Sequence, residues 1–169
     1  MTDDAGTTSE GERRAVAALD ASGLRYRLTR HGPVSSLEEA AAARRLKPGQ
    51  VVKTIVVRQS EDDYLFVLVP GGRAISWPKL RELLGINRLS LPDATVAREV
   101  TGYERGTITP FGSLRALPVV SDARVPGQAV SIGAGAHGVA ATLDGSRMVL
   151  ALGATVADVT DEEPRHPSG

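Results

Sequence analysis

Lys53 is the residue whose type fits its surroundings least. If residues 51–58 form a strand, Val51, Lys53, Ile55 and Val57 share one face, so a lysine stands in an otherwise apolar row. The chain has 17 arginines and only three lysines, so a position that needs only positive charge would usually hold arginine. A position that requires a compact ammonium group rather than a flat guanidinium would explain this choice. A lysine at a sheet edge with its head in water would give the same pattern.

A second feature is the segment 101–112, TGYERGTITPFG, which has three glycines and one proline within twelve residues. Glycine permits positive φ and proline fixes φ, so this composition predicts a loop held in one shape. Such a loop can point backbone N–H groups at a ligand. An ordinary turn has the same composition, so the pattern alone leaves both interpretations open.

The third feature is the segment 131–138, SIGAGAHG, at the end of a predicted strand. Gly133 and Gly135 permit the close approach of a ligand or of another backbone segment. His137 follows them, and a single histidine in such a turn is more often a surface residue than a catalyst.

Several common site types are excluded by inventory. The chain has no cysteine, which removes thiolate nucleophiles, disulfides and cysteine-based zinc sites. His31, His137 and His166 are far apart and form no metal-ligand spacing. Neither a G-x-S-x-G elbow nor a phosphate-binding P-loop is present. We therefore predict no metal, no cofactor and no activated protein nucleophile.

The elements that must position these residues follow from periodicity, caps and turn residues. For the second predicted helix, Ser35 with Glu38 and Ser36 with Glu39 form two overlapping capping boxes. The predicted helices are residues 12–21, 36–46, 78–84 and 93–100. The predicted strands are residues 24–29, 51–58, 64–69, 117–121, 129–133 and 139–143.

Strands and helices are mixed without regular βαβ alternation. This order predicts an α+β fold, with a mixed, largely antiparallel, barrel-like sheet and surrounding helices. The length of 169 residues suits one domain, which we place at residues 11–160. Residues 1–10 and 161–169 are rich in small, polar and proline residues, and we expect them to be flexible tails.

Charge and hydropathy bear on location and partners. No stretch approaches the about 20 apolar residues needed to cross a bilayer, and no signal segment is evident, so we expect a cytoplasmic protein without a membrane partner. The net charge is zero, which argues against coating nucleic acid by bulk electrostatics. Residues 13–58, however, hold ten basic and three acidic residues, an excess that could form a local phosphate-binding face.

In this order and spacing, the three segments resemble the YbaK and prolyl-tRNA synthetase editing-domain family. The matching features are VVKT at residues 51–54, TGY followed by G-x-x-x-PFG within residues 101–112, and SIGAG at residues 131–135. The resemblance covers about residues 12–160. It implies an editing domain that removes misattached amino acids from tRNA.

The resemblance also implies roles for individual residues. The lysine matching Lys53 binds near the phosphate of the terminal adenosine, and the glycine matching Gly106 lines the aminoacyl pocket, so we take these two as catalytic. Candidate substrate-binding residues are Thr107, Ile108, Thr109, Pro110, Ser131, Gly133 and Gly135. Arg44 and Arg45 are candidate tRNA contacts.

The expected activity is hydrolysis of mischarged tRNA, with alanyl- or cysteinyl-tRNA for proline as the leading substrates and prolyl-tRNA synthetase as a candidate partner. An aminoacyl ester is already activated and its ribose hydroxyl can help to position water, so placement can replace a nucleophile. Two alternatives use the same pattern: a non-catalytic module that binds tRNA or a protein, and a small-molecule ester hydrolase. The sequence leaves the oligomeric state open.

Overall fold

The computed structural model describes residues 9–164, which form five α-helices, a 3-10 turn at Pro48–Gln50 and nine strands. The helices are α1 (Glu10–Ser22), α2 (Leu37–Ala43), α3 (Trp77–Leu84), α4 (Ala94–Thr101) and α5 (Gly145–Ala151). The strands are β1 (Tyr26–Arg30), β2 (Val52–Ser60), β3 (Asp63–Pro70), β4 (Arg73–Ile75), β5 (Val119–Asp122), β6 (Ala129–Gly133), β7 (Val139–Asp144), β8 (Thr155–Ala157) and β9 (Thr160–Glu162). Within residues 9–164, no helix is long and apolar enough to span a bilayer.

The strands form three sheets with the orders β1-β7-β6, β2-β3-β5-β8 and β4-β9. Pairing is antiparallel except at β3 with β5 and β5 with β8, which confirms an α+β fold with mixed, largely antiparallel sheets. None of these described sheets closes on itself to form a barrel. A single parallel bridge between Val51 and Ser131 joins the first two sheets, and one bridge is not a continuous ladder.

Side-chain caps fix the start of α2, and its end differs from the prediction. Ser36 accepts a hydrogen bond from the Glu39 amide at 3.0 Å, and the Glu39 carboxylate accepts from the amide and hydroxyl of Ser35. Glu39 therefore serves both serines of the predicted capping boxes. The helix ends at Ala43 rather than at residue 46, because Arg45 adopts a left-handed φ of 60°.

The β2–β3 hairpin separates two apolar cores. One face contributes Val52, Val56, Phe66 and Leu68 to the larger core, which also contains residues of β6, β7, α4 and α5. The opposite face contributes Val57, Leu65, Val67 and Val69 to a smaller core with α3. Because β3 is buried on both faces and pairs in parallel with β5, its side chains are apolar throughout residues 64–69.

Some elements lie outside the sequence prediction. Helix α5 and the three-residue strands β4, β8 and β9 were not expected, because such short segments carry little periodicity. The ordered elements also extend past the expected domain limits, since Glu10 lies in α1, and Asp161 and Glu162 pair with β4. Residues 1–8 and 165–169, including His166, lie outside the described residues.

Arg14 of α1 holds both ends of the segment 101–112. Its Nη2 donates to the Gly102 carbonyl at 3.0 Å and to the Thr101 carbonyl at 3.4 Å, and its Nε donates to the Gly112 carbonyl at 3.2 Å. The guanidinium also lies 4.7 Å from the centre of the Tyr103 ring. The Tyr103 hydroxyl donates to the Phe111 carbonyl at 2.8 Å. Burial raises the pKa of Tyr103, and the nearby Arg14 cation opposes that rise.

We predict that Arg14→Met destabilises the protein by about 2–3 kcal/mol, because part-buried carbonyls at both ends of the loop lose a charged donor. Urea unfolding monitored by circular dichroism measures the loss. Arg98→Met is the control, since Arg98 is exposed on α4 and its side chain makes no hydrogen bond or ion pair within residues 9–164. Equal stability of the two variants would contradict a structural role for Arg14.

Candidate functional site

The loop 106–110 is fixed from within by two threonines. Thr107 is 2% exposed, and both its amide and its hydroxyl donate to the Glu104 carbonyl, at 2.9 and 2.7 Å. The buried Thr109 hydroxyl accepts from the Phe111 amide at 3.2 Å. Ile108 and Pro110 are half-buried, while Gly106 is exposed with a φ of 90°. The threonine side chains thus support the loop, and their contacts with a substrate stay a prediction.

This loop packs against the end of β6. The Gly135 amide donates to the Thr107 carbonyl at 3.1 Å. A Cβ atom on Gly133 would lie 3.3 Å from the Ile108 carbonyl oxygen and 3.4 Å from that of Thr107. Glycine at 133 therefore allows the two backbones to meet, which brings two of the three predicted segments together.

Gly135 is required by packing against α1. It has a φ of 85°, and a Cβ atom there would lie 2.3 Å from the Gly11 carbonyl oxygen. The reverse contact, from a Cβ on Gly11 to the Gly135 carbonyl oxygen, is also 2.3 Å. The close contact of two backbones explains this glycine, and its role as a pocket wall stays a prediction.

Lys53 lies on the same side of β2 as Val51, which bridges to Ser131 of β6 in parallel. Two residues further along each strand, Lys53 and Gly133 therefore continue the same face. The Lys53 side chain is 56% exposed, and its Nζ lies 4.0 Å from Glu163 Oε1. The ammonium group is thus in water at a sheet edge, with only a weak ion pair, and it is open to a ligand.

The two arginines predicted as tRNA contacts have different environments. Arg44 is half-buried, and it donates from Nη1 to the Ser131 hydroxyl at 3.2 Å and from Nε to His31 Nε2 at 3.3 Å. Burial lowers the pKa of the Arg44 guanidinium. Arg45 is exposed. Arg44 therefore belongs to the wall of the candidate site, next to the fully buried Ser131.

His137 and Glu104 are site residues that sequence reasoning missed. His137 Nε2 lies 3.2 Å from Glu104 Oε2, and both side chains are exposed. A Cβ atom on Gly106 would have His137 Cε1 as its nearest neighbour, at 3.8 Å. The only signal in the sequence was that each residue lies inside one of the two glycine-rich segments. Their separation of 33 residues hid the pair.

The site offers binding and water-positioning groups rather than a nucleophile. The Ser131 hydroxyl accepts from Arg44 and has no neighbouring base among its contacts. Within residues 9–164, the amides of Gly106, Ile108 and Thr109 make no hydrogen bond. Gly106 is exposed and Ile108 is half-buried, so these two amides can donate to a ligand, whereas Thr109 is fully buried. No group of three or more potential metal-ligating side chains occurs in the same range. Such a set can hold anions and polarise a carbonyl.

Two surface cavities lie away from these residues. One is lined by residues 47, 49, 50, 70, 71, 73, 124 and 126–128, and the other by residues 58–61, 81 and 87–90. Neither includes Lys53, the loop 106–110 or residues 131–135. The candidate site is therefore defined by the convergence of its chemical groups and not by either of these two cavities.

Comparison with known proteins assigns the chain to a family. A sequence model described as the aminoacyl-tRNA editing domain matches residues 31–149, which include Lys53, the loop 106–110 and residues 131–135. A proline–tRNA ligase from Syntrophotalea carbinolica is 34% identical over 94 residues, covering 56% of this chain and 16% of the ligase. The ligase from Pelotomaculum thermopropionicum is 30% identical over 114 residues, covering 68% of this chain and 18% of the ligase. The chain thus corresponds to less than a fifth of either enzyme.

Two solved structures share the fold over most of the chain. A protein provisionally assigned as a trans-editing enzyme for prolyl-tRNA synthetase has a TM-score of 0.82 and 26% identity, covering 94% of this chain and all of that one. The hypothetical protein APE2540 has a TM-score of 0.80 and 27% identity, covering 88% of this chain and 99% of that one. Since the family match spans most of the chain and its site, the chain belongs to the aminoacyl-tRNA editing domain family.

Proposed function

We propose that the protein is a trans-editing hydrolase that removes alanine or cysteine from mischarged tRNA for proline. The observation that carries the proposal is the convergence of Lys53, the loop 106–110 and the end of β6 on one surface of an editing-domain fold. The relatives named above are proline–tRNA ligases or a candidate trans-editing enzyme, which supports tRNA as substrate and prolyl-tRNA synthetase as a partner.

In this mechanism the tRNA 3′ end lies across the face formed by β2 and β6. The exposed Lys53 ammonium binds the phosphate of the terminal adenosine. The free amides of Gly106 and Ile108 polarise the ester carbonyl and stabilise the oxyanion that forms when water attacks. The substrate's neighbouring ribose hydroxyl holds or activates that water.

His137 is placed to assist at the same point. Its ring lies beside Gly106, and the Glu104 carboxylate holds Nε2. A histidine oriented by a carboxylate can take a proton from water or give one to the leaving ribose oxygen. Because both side chains are exposed, the bound substrate would cover them and exclude water from the site.

Small amino acids fit the proposed pocket best. Thr107 points inward to the Glu104 carbonyl, so it does not fill the pocket, while the half-buried Ile108 packs against the larger core. At the loop tip, a Cβ atom on Gly106 would be in ordinary van der Waals contact with His137 Cε1, at 3.8 Å. Editing by a second site of limited size removes amino acids that a synthetase cannot reject by binding alone.

The test is a panel of tRNAs for proline charged with alanine, cysteine, serine or proline. We expect release of alanine or cysteine and retention of proline, measured with labelled amino acids. Binding without release of any amino acid would instead indicate a non-catalytic module. Hydrolysis of small esters but not of charged tRNA would indicate the ester-hydrolase alternative.

We predict that Lys53→Ala reduces deacylation strongly and changes the free energy of unfolding by less than about 0.5 kcal/mol, because the side chain is mostly in water. Lys53→Arg should restore activity only in part, since the guanidinium is larger and flatter. Glu163→Gln is the control, because it removes the ion-pair partner and leaves the ammonium. A similar loss of activity in Glu163→Gln would assign the effect to the ion pair rather than to a ligand.

We predict that Gly106→Ala lowers kcat/KM for all accepted substrates in parallel and also lowers Tm. The φ of 90° disfavours any side chain by about 1–2 kcal/mol, whereas the nearest atom to the new methyl group is 3.8 Å away. Backbone strain therefore outweighs lost space. The opposite result, a selective loss for the larger amino acid with unchanged Tm, would show that the methyl group enters the aminoacyl pocket.

A further inference from the structure

Arg44 is a cation without a counter-ion in the wall of the candidate site. Its guanidinium is half-buried, and no carboxylate lies within 4 Å of it among residues 9–164. Taking a charge out of water is costly when no opposite charge compensates it. Glu39, the acidic residue nearest to Arg44 in the sequence, accepts from the amide and hydroxyl of Ser35 instead. A ligand oxyanion would supply the missing charge.

The partners of Arg44 orient it without neutralising it. A guanidinium can only donate, so His31 Nε2 accepts the hydrogen bond from Nε. His31 Nδ1 lies 2.9 Å from the Gly32 carbonyl oxygen, where its proton is satisfied. The Ser131 hydroxyl takes one N–H of Nη1. Arg44 thus uses two of its five donors.

The unused donors have the geometry of an oxyanion site. Both N–H groups of Nη2 and the second one of Nη1 make no hydrogen bond within residues 9–164. This end of a guanidinium matches two oxygens of a phosphate or a carboxylate. The His31 amide donates to the Gly138 carbonyl at 2.9 Å, which places Arg44 beside the turn that carries His137.

We propose that Arg44 binds a backbone phosphate of the tRNA 3′ end, as a second phosphate site beside Lys53. This inference rests on the proposed function. Ser131, the partner of Arg44, pairs with Val51, and Lys53 lies two residues beyond Val51 on the same face. Two residues of strand correspond to about 7 Å. A single-stranded 3′ end supplies consecutive phosphates along such a face. The positive charges of Arg44 and Lys53 would repel the α-ammonium group of the amino acid, which therefore favours a position away from them.

The test measures binding of the trinucleotide CCA, which has internal phosphates, and of adenosine, which has none. We expect Arg44→Gln to weaken CCA binding about 10- to 100-fold and to leave adenosine binding unchanged. The slope of log Kd against log salt should fall by roughly 0.7, the value for one phosphate contact on a single strand. Arg44→Lys should restore affinity only in part, because it keeps the charge and loses the fork.

Two charge-matched controls separate a specific contact from general electrostatics. Arg147→Gln removes one exposed charge on α5, and we expect CCA binding to stay unchanged. Arg45→Gln removes the same charge one residue from Arg44, on an exposed side chain, and we expect a smaller loss than for Arg44→Gln. Equal weakening by Arg44→Gln and Arg45→Gln would overturn a specific contact.

Other outcomes overturn the proposal in distinct ways. Equal weakening of CCA and adenosine would show that Arg44 acts by shaping the pocket through Ser131. Unchanged CCA binding in Arg44→Gln, or no CCA binding by the unmodified protein, would remove the phosphate site. Activity lost only on tRNA charged with aspartate would assign Arg44 to a side-chain carboxylate. Because binding needs no hydrolysis, CCA binding through Arg44 without deacylation would contradict the proposed function alone.

Discussion

The path of the loop 101–112 depends on one cation, Arg14, which donates to carbonyls at both of its ends. Carbonyls at glycine-rich turns need donors, and the Arg14 guanidinium supplies them at both ends. With both ends held, the buried hydroxyls of Thr107 and Thr109 form hydrogen bonds to backbone groups inside the loop. The amides near Gly106 are then left unpaired on the outside. The proposed oxyanion site is therefore a consequence of how the loop is anchored.

The same helix holds the other half of the site, although α1 lies before the matched family region of residues 31–149. Gly11 packs its backbone against Gly135. The buried Glu12 carboxylate forms a bidentate ion pair with Arg30 at the end of β1, in which Arg30 Nη1 donates to Glu12 Oε1 at 2.8 Å and Nη2 donates to Oε2. One residue later, His31 contacts Arg44. A helix outside the family region thus positions both the glycine loop and the proposed phosphate site.

Local sequence signals predicted most of the fold. Helix caps at Ser36 and Gly85 and the β-branched runs of β2 and β3 placed these elements to within a few residues. Short elements such as β9 escaped because three residues carry no period, and their pairing is decided by distant partners. Sheet closure could not be judged either, since it depends on whether β2 and β6 pair beyond a single bridge.

Only part of the candidate site could be predicted, because the sequence does not show which partner each charged side chain contacts. The excess of basic residues at 13–58 suggested a local phosphate-binding face, yet Arg14 holds a loop, Arg30 pairs with Glu12, and Arg58 donates to the Ser60 carbonyl. Elsewhere, Arg124 and Lys79 hold the pKa of Asp158 at about 2, so these opposite charges compensate each other. Neutral net charge is thus compatible with a small site in which, among residues 9–164, Arg44 has no carboxylate within 4 Å and Lys53 has only a weak ion pair. A few uncompensated cations at fixed positions favour recognition of one strand end over binding along a helix.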